Sequence, residues 1–460
     1  MEHSKLSPML LALDSLSIYR GLLKDKVLSR LKALLICLNK ENVELRKIVN
    51  RYNDFYFELA KSDTLSLKDY LIDKIIFDEN TFSFKVQAVK FSDPDWVLEK
   101  AASHDLRCLQ LVSNLDPYMI KAELTQLFEA NSAKLIIEEL PEWVLESRPS
   151  CTLDHILRVK NRFKSCSHWD ECLEDLRNFH KTYGCGIYAR NIAFVWEKSD
   201  GHGYLKGIDS PDAITLNELV DYQNERSRVI ENTLQFLGGF PSNNVLLYGD
   251  RGTGKSSTVK AILNEYHSHG LKMLEVPKAY LADFPLIIRH LKNRAQKFII
   301  FVDDLVFGDN EENYTSLKAV LEGGLESKTP NILIYATSNR RHLVKEYFSE
   351  RAGLQSGNHD EEVHAGDSMQ EKLSLADRFG ISVVFSSPDQ KRYLKIVEGI
   401  AAIRKLNIDK ERLQREALQW ALSYNGRSAR TARQFVDWIE GNEHIRETSD
   451  TIKLTDSTWL

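Results

Sequence analysis

Apolar residues recur every three or four positions through much of the first 205 residues, which is the spacing of amphipathic helices. A short strand is predicted only at residues 85–89. We therefore expect residues 1–205 to form a mainly helical accessory domain. The predicted helices of this region cover residues 18–60, 99–111, 119–128 and 168–183.

From residue 245 the pattern changes to continuous apolar runs that alternate with helical segments. Such alternation predicts a parallel sheet with helices on both faces, and uninterrupted apolar runs are typical of strands buried on both faces. We expect residues 206–387 to form an α/β domain around a five-stranded parallel sheet. The predicted strands are residues 245–248, 272–276, 298–302, 332–336 and 381–385, with helices at 257–266, 282–292 and 314–322.

The segments on either side of this α/β region have different patterns. Residues 200–214 are rich in Gly, Asp and Pro, which predicts a linker, and a helix is expected at residues 216–236. After residue 385 only helical patterns remain, at residues 390–404, 411–424 and 428–438. We expect residues 388–460 to form a small helical domain appended to the sheet.

The overall composition is typical of a globular protein, with 43% hydrophobic and 28% charged residues. The formal net charge of −5 gives no global electrostatic case for nucleic-acid binding, although a local basic patch is compatible with it. No apolar run reaches the length needed to cross a bilayer. We expect a cytoplasmic protein with no membrane partner.

Residues 249–256 carry the most specific chemical signal, the motif Gly-Asp-Arg-Gly-Thr-Gly-Lys-Ser between a predicted strand and a predicted helix. Glycines let the backbone turn tightly and point its N–H groups at a phosphate, and the helix adds its positive dipole end. Lys255 can reach the β- and γ-phosphates, and the Ser256 hydroxyl can bind Mg²⁺. The alternative is a glycine-rich turn that binds nothing. We predict ATP and Mg²⁺ as cofactors, with nucleotide contacts from Gly249, Asp250, Arg251, Gly252, Thr253, Gly254, Lys255, Ser256 and Ser257.

Polar side chains follow two later strands, at the end where ligands bind in open α/β sheets. Asp303 and Asp304 follow the run at 298–302, and Asn339 follows the run at 332–336. Asp303 is the candidate to hold Mg²⁺, and Asp304 is the candidate to orient the attacking water. Asn339 can contact the γ-phosphate or that water. The alternatives are structural: the two acids would cap the next segment, and Asn339 would form a turn.

This order of phosphate loop, Asp-ended strand, Asn-ended strand and C-terminal helices resembles the AAA+ ATPases. The segment Ser-Leu-Ala-Asp-Arg-Phe-Gly from residue 374 then implies an arginine finger, Arg378, that acts on a neighbouring subunit. The resemblance also implies a lid arginine at the γ-phosphate, for which Arg430 is our choice ahead of Arg433 and Arg427. The alternatives are a surface ion pair of Arg378 with Asp377 and a solvated basic helix face around Arg430.

Further segments narrow the resemblance. The segment Ile-Thr-Leu-Asn-Glu-Leu-Val-Asp-Tyr from residue 214 is similar to the one that packs on adenine in AAA+ proteins, with Val220 and Tyr222 as candidates. Over residues 205–440 the chain resembles a bacterial family of stand-alone AAA+ ATP-binding proteins whose cellular role is uncharacterised. Its matching motifs include Leu-Glu-Gly-Gly-Leu-Glu from residue 321 and Ile-Tyr-Ala-Thr-Ser-Asn-Arg-Arg-His-Leu from residue 334. One departure is Asp304, where many AAA+ enzymes carry glutamate.

These features predict an ATPase that hydrolyses ATP with Mg²⁺ to drive conformational change or remodelling of a protein or nucleic-acid partner. The resemblance implies a homo-oligomer, as a ring or a partial ring. An ATP-dependent binding switch with little turnover is the alternative, because Asp304 is one methylene shorter than glutamate. A nucleic-acid loader is a further alternative, since Arg340, Arg341, His342 and Lys345 form a local basic cluster.

Overall fold

The computed structural model describes residues 6–40, 43–62, 64–88, 96–128, 130–144, 153–305, 311–322, 329–339, 378–424 and 426–448. The chain divides into two compact units. The first comprises Met1–Asn191 with Arg294–Gln296, and the second comprises Ile192–Asn293 with Lys297–Leu460. Among the described residues, no helix is both long and apolar enough to cross a membrane. The basic cluster at residues 340–345 lies outside the described residues, as does Asp377.

The first unit is helical, and its core is built from Leu, Ile and aromatic side chains. The strand predicted at residues 85–89 is wrong where the structure describes it, because Lys85 and Val86 end a short helix. That helix begins with a capping box, in which Asn80 and Ser83 each accept a hydrogen bond from the other's backbone N–H. The described helices of this unit are α1 (Ser7–Asp14), α2 (Lys26–Leu38), α3 (Leu45–Ala60), α4 (Leu67–Phe77), α5 (Thr81–Val86), α6 (Trp96–Ser113), α7 (Pro117–Leu127), α8 (Asn131–Glu138), α9 (Asp154–Ser165), α10 (Leu173–Tyr183) and α11 (Gly186–Arg190).

The second unit contains a seven-stranded sheet, which confirms the predicted α/β class and its five parallel strands and adds two further strands. The order is β2-β1-β4-β5-β6-β3-β7, and β2 pairs antiparallel with β1 whereas the other pairs are parallel. The strands are β1 (Ala193–Ser199), β2 (His202–Ile208), β3 (Val245–Gly249), β4 (Leu271–Glu275), β5 (Lys297–Val302), β6 (Ile332–Ser338) and β7 (Ile381–Phe385).

The two additional strands lie where the sequence predicted the end of a helical domain and a linker. They form a hairpin whose turn is Asp200-Gly201, and both turn residues have positive φ, 52° and 79°. A two-residue Asp-Gly turn matches the right-handed twist of paired strands, because both residues tolerate the left-handed region. The Gly and Asp content that indicated a linker therefore marks a tight hairpin that widens the sheet.

The helices of the second unit cover the sheet and form the C-terminal region. The predicted helix at 216–236 is interrupted: a short 3₁₀ turn, Leu216–Glu218, comes first, and α12 starts only at Gln223. The interruption is at Asp221 and Tyr222, which have positive φ of 63° and 58°. The described helices are α12 (Gln223–Leu237), α13 (Lys255–Tyr266), α14 (Phe284–Leu291), α15 (Glu311–Glu322), α16 (Gln390–Ile403), α17 (Lys410–Ser423) and α18 (Ala429–Thr448).

The strand order determines which loops meet. Strand β3 lies between β6 and β7, and β5 lies beside β6, so the segments that follow β5, β6 and β3 leave the same edge of the sheet. In the register of the sheet, Leu247 pairs with Thr337 and Val302 pairs with Ala336. Ligands of open α/β sheets bind at this carboxyl edge, and the predicted chemical residues follow these three strands.

Candidate nucleotide-binding site

The phosphate loop between β3 and α13 is fixed from both sides by the end of β7. A Cβ atom on Gly249 would lie 2.1 Å from the carbonyl oxygen of Phe385, and Gly249 has a φ of 134°, so only glycine fits. The Asp250 N–H donates to the same carbonyl at 3.2 Å, and the Asp250 carboxylate accepts from the Ser387 N–H at 3.0 Å. Gly249 and Asp250 therefore hold the shape of the loop.

Lys255 opens α13 and is only 6% exposed. Its Nζ donates to the carbonyl oxygens of Gly249, at 2.8 Å, and Asp250, at 2.6 Å. A third hydrogen bond, of 3.2 Å, reaches Oδ1 of Asn339. Burial of the ammonium lowers the pKa of Lys255 to about 8, because removal from water penalises the charged form. An anionic ligand in the loop would favour the charged form of Lys255 and raise its pKa again.

Asp303 lies at the end of β5 and gathers three donors on one oxygen. Its Oδ1 accepts from Ser256 Oγ at 2.6 Å, from Thr337 Oγ1 at 2.5 Å and from the Asp304 N–H at 3.1 Å. A hydroxyl and a carboxylate held in contact are the hard oxygen ligands that Mg²⁺ prefers. Ser256 and Asp303 therefore fit the ion that the fold implies, and they would hold it. Sequence reasoning missed Thr337, whose position near the end of a buried strand was its only signal.

Asp304 follows directly in a left-handed conformation, with φ of 52°, and both of its carboxylate oxygens have partners. Oδ1 accepts from Asn339 Nδ2 at 2.6 Å, and Oδ2 forms an ion pair of 3.0 Å with Lys278 Nζ. The side chains of Lys278 and Asp304 are 43% and 47% exposed, so this ion pair is accessible to solvent. Lys278 was not a sequence candidate, because nothing in its local pattern distinguishes it from a surface lysine.

The C-terminal helices contact the phosphate loop through the start of α18. The Arg430 N–H donates to the Gly252 carbonyl at 2.9 Å, and Ser428 Oγ caps the helix by accepting from the Thr431 N–H at 3.0 Å. A Cβ on Gly252 would lie 2.9 Å from that serine oxygen. The side chains of Arg430 and Arg433 reach the cavity beside the loop. Arg427, the remaining lid candidate, is not among the described residues that line this cavity.

The opposite end of the cavity is formed by residues 218–222 and α16. Val220 packs against the helix so closely that a Cβ on Gly399 would lie 2.5 Å from its Cγ1. The Tyr222 ring stacks on Phe385, with 5.3 Å between ring centroids, and the Arg392 guanidinium lies 3.9 Å from the same ring. The left-handed interruption before α12 therefore brings the two candidates for adenine packing to the cavity.

These elements enclose a cavity of about 490 Å³. Gly249 and Asp250 support the cavity without lining it in the described structure. Arg378 is also outside it, because it precedes the amino end of β7 whereas the cavity adjoins the carboxyl end. The predicted site residues that do line the cavity are Val220, Tyr222, Arg251, Gly252, Thr253, Gly254, Lys255, Ser256, Ser257, Asp303, Asp304, Asn339 and Arg430.

A strand–phosphate loop–helix unit, an acidic strand end and a helical lid on one mostly parallel sheet define the class of AAA+ ATPases. Comparison with protein families gives the more particular assignment. A family model described as "Protein of unknown function (DUF815)" matches residues 189–443, which is more than half of the chain. The chain belongs to this family.

Curated relatives are AAA+ ATPases and resemble part of the chain. A putative 26S proteasome regulatory subunit homologue of Methanocaldococcus jannaschii is 27% identical over 221 residues, 42% of this chain and 58% of that protein. The proteasome-activating nucleotidase of Methanosarcina mazei is 25% identical over 248 residues, 48% of this chain and 54% of that protein. The chain therefore spans about half the length of these relatives.

A solved structure of the Thermotoga maritima RuvB Holliday junction branch migration motor matches 52% of this chain and 78% of that chain. The sequence identity is 13% and the TM-score is 0.29, a similarity too slight to support a conclusion.

Proposed function

We propose that this chain binds ATP with Mg²⁺, hydrolyses it, and uses the lid helices to pass the nucleotide state to a protein or nucleic-acid partner. The observation that carries the proposal is the contact of 2.6 Å between Ser256 Oγ and Asp303 Oδ1 beside the buried Lys255. The ammonium can neutralise phosphate oxygens, and the hydroxyl and the carboxylate beside it can bind the Mg²⁺ of a Mg²⁺–triphosphate group.

Each residue has a separate role in this proposal. Lys255 would exchange its carbonyl partners for the β- and γ-phosphates. Ser256 and Asp303 would hold Mg²⁺, which when bound neutralises phosphate charge. Asp304 would orient the attacking water and Asn339 would fix the position of Asp304, to which it already donates at 2.6 Å.

The lid supplies the coupling to conformation. The Arg430 backbone N–H already donates to the Gly252 carbonyl. A change in the conformation of the phosphate loop on nucleotide binding would therefore move the start of α18. The Arg430 side chain, which lines the cavity, would contact the γ-phosphate and so report whether ATP or ADP is bound.

Assembly forms a further part of the proposal. Arg378 lies away from its own cavity, so it would act only in the site of a neighbouring copy, as an arginine finger does. We expect an oligomer whose mass by light scattering increases with ATP. Arg378→Ala should lower turnover without weakening ATP binding, because the residue would not contact the nucleotide of its own subunit. Unchanged turnover and unchanged assembly in this variant would remove the role.

A second candidate function, an ATP-dependent binding switch with little turnover, is favoured by the environment of Asp304. Both carboxylate oxygens are occupied, one by Asn339 and one by Lys278. A carboxylate engaged in this way is a poor acceptor for a proton from water. Hydrolysis would require the Lys278 ion pair to open, whereas ATP binding would not.

Phosphate release measured beside ATP affinity separates the two functions. For an ATPase, Asp304→Asn should lower turnover by about a hundredfold or more while ATP affinity is kept. Asp209→Asn, an exposed carboxylate outside the cavity, is the matched control. If wild type binds ATP tightly but releases phosphate no faster than Asp304→Asn, the switch is correct. Lys278→Met, which frees Asp304, should then increase turnover.

A further inference from the structure

One buried cation of the cavity has no role in the proposed phosphate chemistry. Arg226 on α12 lines the cavity, and only 8% of its surface is exposed. Within the described part of the chain its guanidinium makes no hydrogen bond and no ion pair; only longer-range attraction by Asp221 and Glu225 acts on it. Both of these carboxylates contact Arg392 instead.

A guanidinium in this state is costly. The guanidinium has lost most of its contact with water without gaining a partner among the described residues, so part of its desolvation penalty is not compensated. Burial accordingly lowers the pKa of Arg226. A ligand group with acceptor atoms at this wall of the cavity would recover the lost hydrogen bonds. Arg226 therefore suits ligand binding better than a structural role.

The position of Arg226 identifies which part of a nucleotide would meet it. The Arg226 N–H donates to the Tyr222 carbonyl at 3.0 Å, so it lies one helical turn beyond Tyr222. It therefore belongs to the same end of the cavity as Val220 and α16. The phosphate end, at residues 252–256, has Lys255 and Arg430 as its own cations.

We propose that Arg226 determines base specificity by donating hydrogen bonds to the ring nitrogens of a purine nucleotide. The inference rests on the proposed function, because it assigns one more contact to the same bound nucleotide. A guanidinium only donates, and the unsubstituted ring nitrogens of adenine, N1, N3 and N7, only accept. Adenine presents no two acceptors side by side, so one N–H of the guanidinium would donate to one ring nitrogen.

The test compares ATP with inorganic tripolyphosphate, which has the phosphates but no base. Both are titrated in the presence of Mg²⁺ by calorimetry into wild type, Arg226→Ala, Arg226→Lys and the control Arg228→Ala. Arg228 lies on the same helix but is exposed and does not line the cavity. Arg226→Lys keeps a buried positive charge but lacks the guanidinium N–H donors, so it serves if the alanine variant is unstable.

We expect Arg226→Ala and Arg226→Lys to weaken ATP binding by about tenfold, the order expected for loss of a hydrogen bond to a charged group. Tripolyphosphate binding should be unchanged in both variants, and Arg228→Ala should match wild type. Equal losses for ATP and tripolyphosphate would make Arg226 a phosphate ligand and overturn the proposal. Unchanged ATP binding in both variants would overturn it as well.

Modified nucleotides test the same contact without altering the protein. Wild type is titrated with 1-deaza-, 3-deaza- and 7-deaza-ATP, each of which lacks one ring acceptor. One of the three should bind about tenfold more weakly than ATP, and this loss should vanish in Arg226→Lys, since a double-mutant cycle reports direct contact. Equal affinity for all three analogues would overturn the proposal.

These titrations also distinguish an error in the proposed nucleotide site from an error in the role of Arg226. If wild type binds neither ATP nor tripolyphosphate, the nucleotide site itself is wrong. If it binds both with Lys255-dependent affinity but shows no base-dependent loss in the Arg226 variants, only the role of Arg226 is wrong.

Discussion

Raising the pH through about 8 should weaken ATP binding through Lys255, because burial in the phosphate loop holds this lysine at a depressed pKa. Its Nζ is buried among the carbonyls of Gly249 and Asp250, and burial lowers its pKa to about 8. A bound triphosphate would favour the charged ammonium and raise the pKa again. Binding above neutral pH therefore takes up a proton, and affinity falls as the pH rises.

The magnitude follows from the two ionisation states. With a pKa near 8 in the free protein, about half of Lys255 is neutral at about pH 8 and about nine-tenths at about pH 9. Binding should then take up about 0.5 and about 0.9 proton, respectively. Affinity at about pH 9 should be about tenfold lower than at about pH 7, where the lysine is already mostly charged.

Calorimetry of Mg²⁺–ATP binding in buffers with different ionisation enthalpies measures the proton uptake. The slope of the observed binding enthalpy against the buffer ionisation enthalpy gives the number of protons taken up. Lys255→Arg is the matched control, because arginine stays charged through this range and its uptake should be close to zero. Lys272 also has a pKa lowered to about 7 by burial, but it does not line the cavity. Its protonation should be the same in the free and the bound protein, so it should not contribute to the proton uptake. Absence of proton uptake by wild type between about pH 8 and about pH 9 would refute this account of the site.

Two further predictions concern the loop and the lid. Gly249→Ala should destabilise the protein by more than about 3 kcal/mol in thermal unfolding, because the new Cβ would lie 2.1 Å from the Phe385 oxygen. Gly254→Ala should cost only about 1–2 kcal/mol of stability, since its φ of 95° is strained for alanine but no atom lies within 4 Å of the added Cβ. Equal losses of stability in the two variants would contradict a clash at Gly249. Arg430→Ala should reduce the preference for ATP over ADP by about tenfold in competition binding, whereas Arg427→Ala should not. A loss of ATP preference in Arg427→Ala but not in Arg430→Ala would assign the γ-phosphate contact to Arg427.

The phosphate loop and the parallel strands could be predicted because each has a local cause. Continuous apolar runs require burial on both faces, and the glycine spacing of residues 249–256 has few other uses. Asp303 and Asn339 followed from the rule that parallel strands present their carboxyl ends at one edge. For these residues, chain position and spatial position are linked by the sheet itself.

The residues that sequence reasoning missed depend on tertiary contacts. Lys278 comes from the segment after β4 and meets Asp304 only because β4 and β5 are neighbours. Arg226 lies on a helix whose polar pattern predicts solvent, and it faces the cavity because the chain turns left-handed at Tyr222. The hairpin at residues 193–208 was missed because its Asp-Gly turn was interpreted as a linker rather than as a strand connection.

The most direct test of the central claim is phosphate release from ATP by the purified chain, with and without Mg²⁺, beside Lys255→Ala. Turnover should require Mg²⁺ and fall to background in the variant, which lacks the ammonium that would contact the β- and γ-phosphates. Turnover that persists at the wild-type rate in Lys255→Ala would contradict the account, because the activity would then arise outside this cavity.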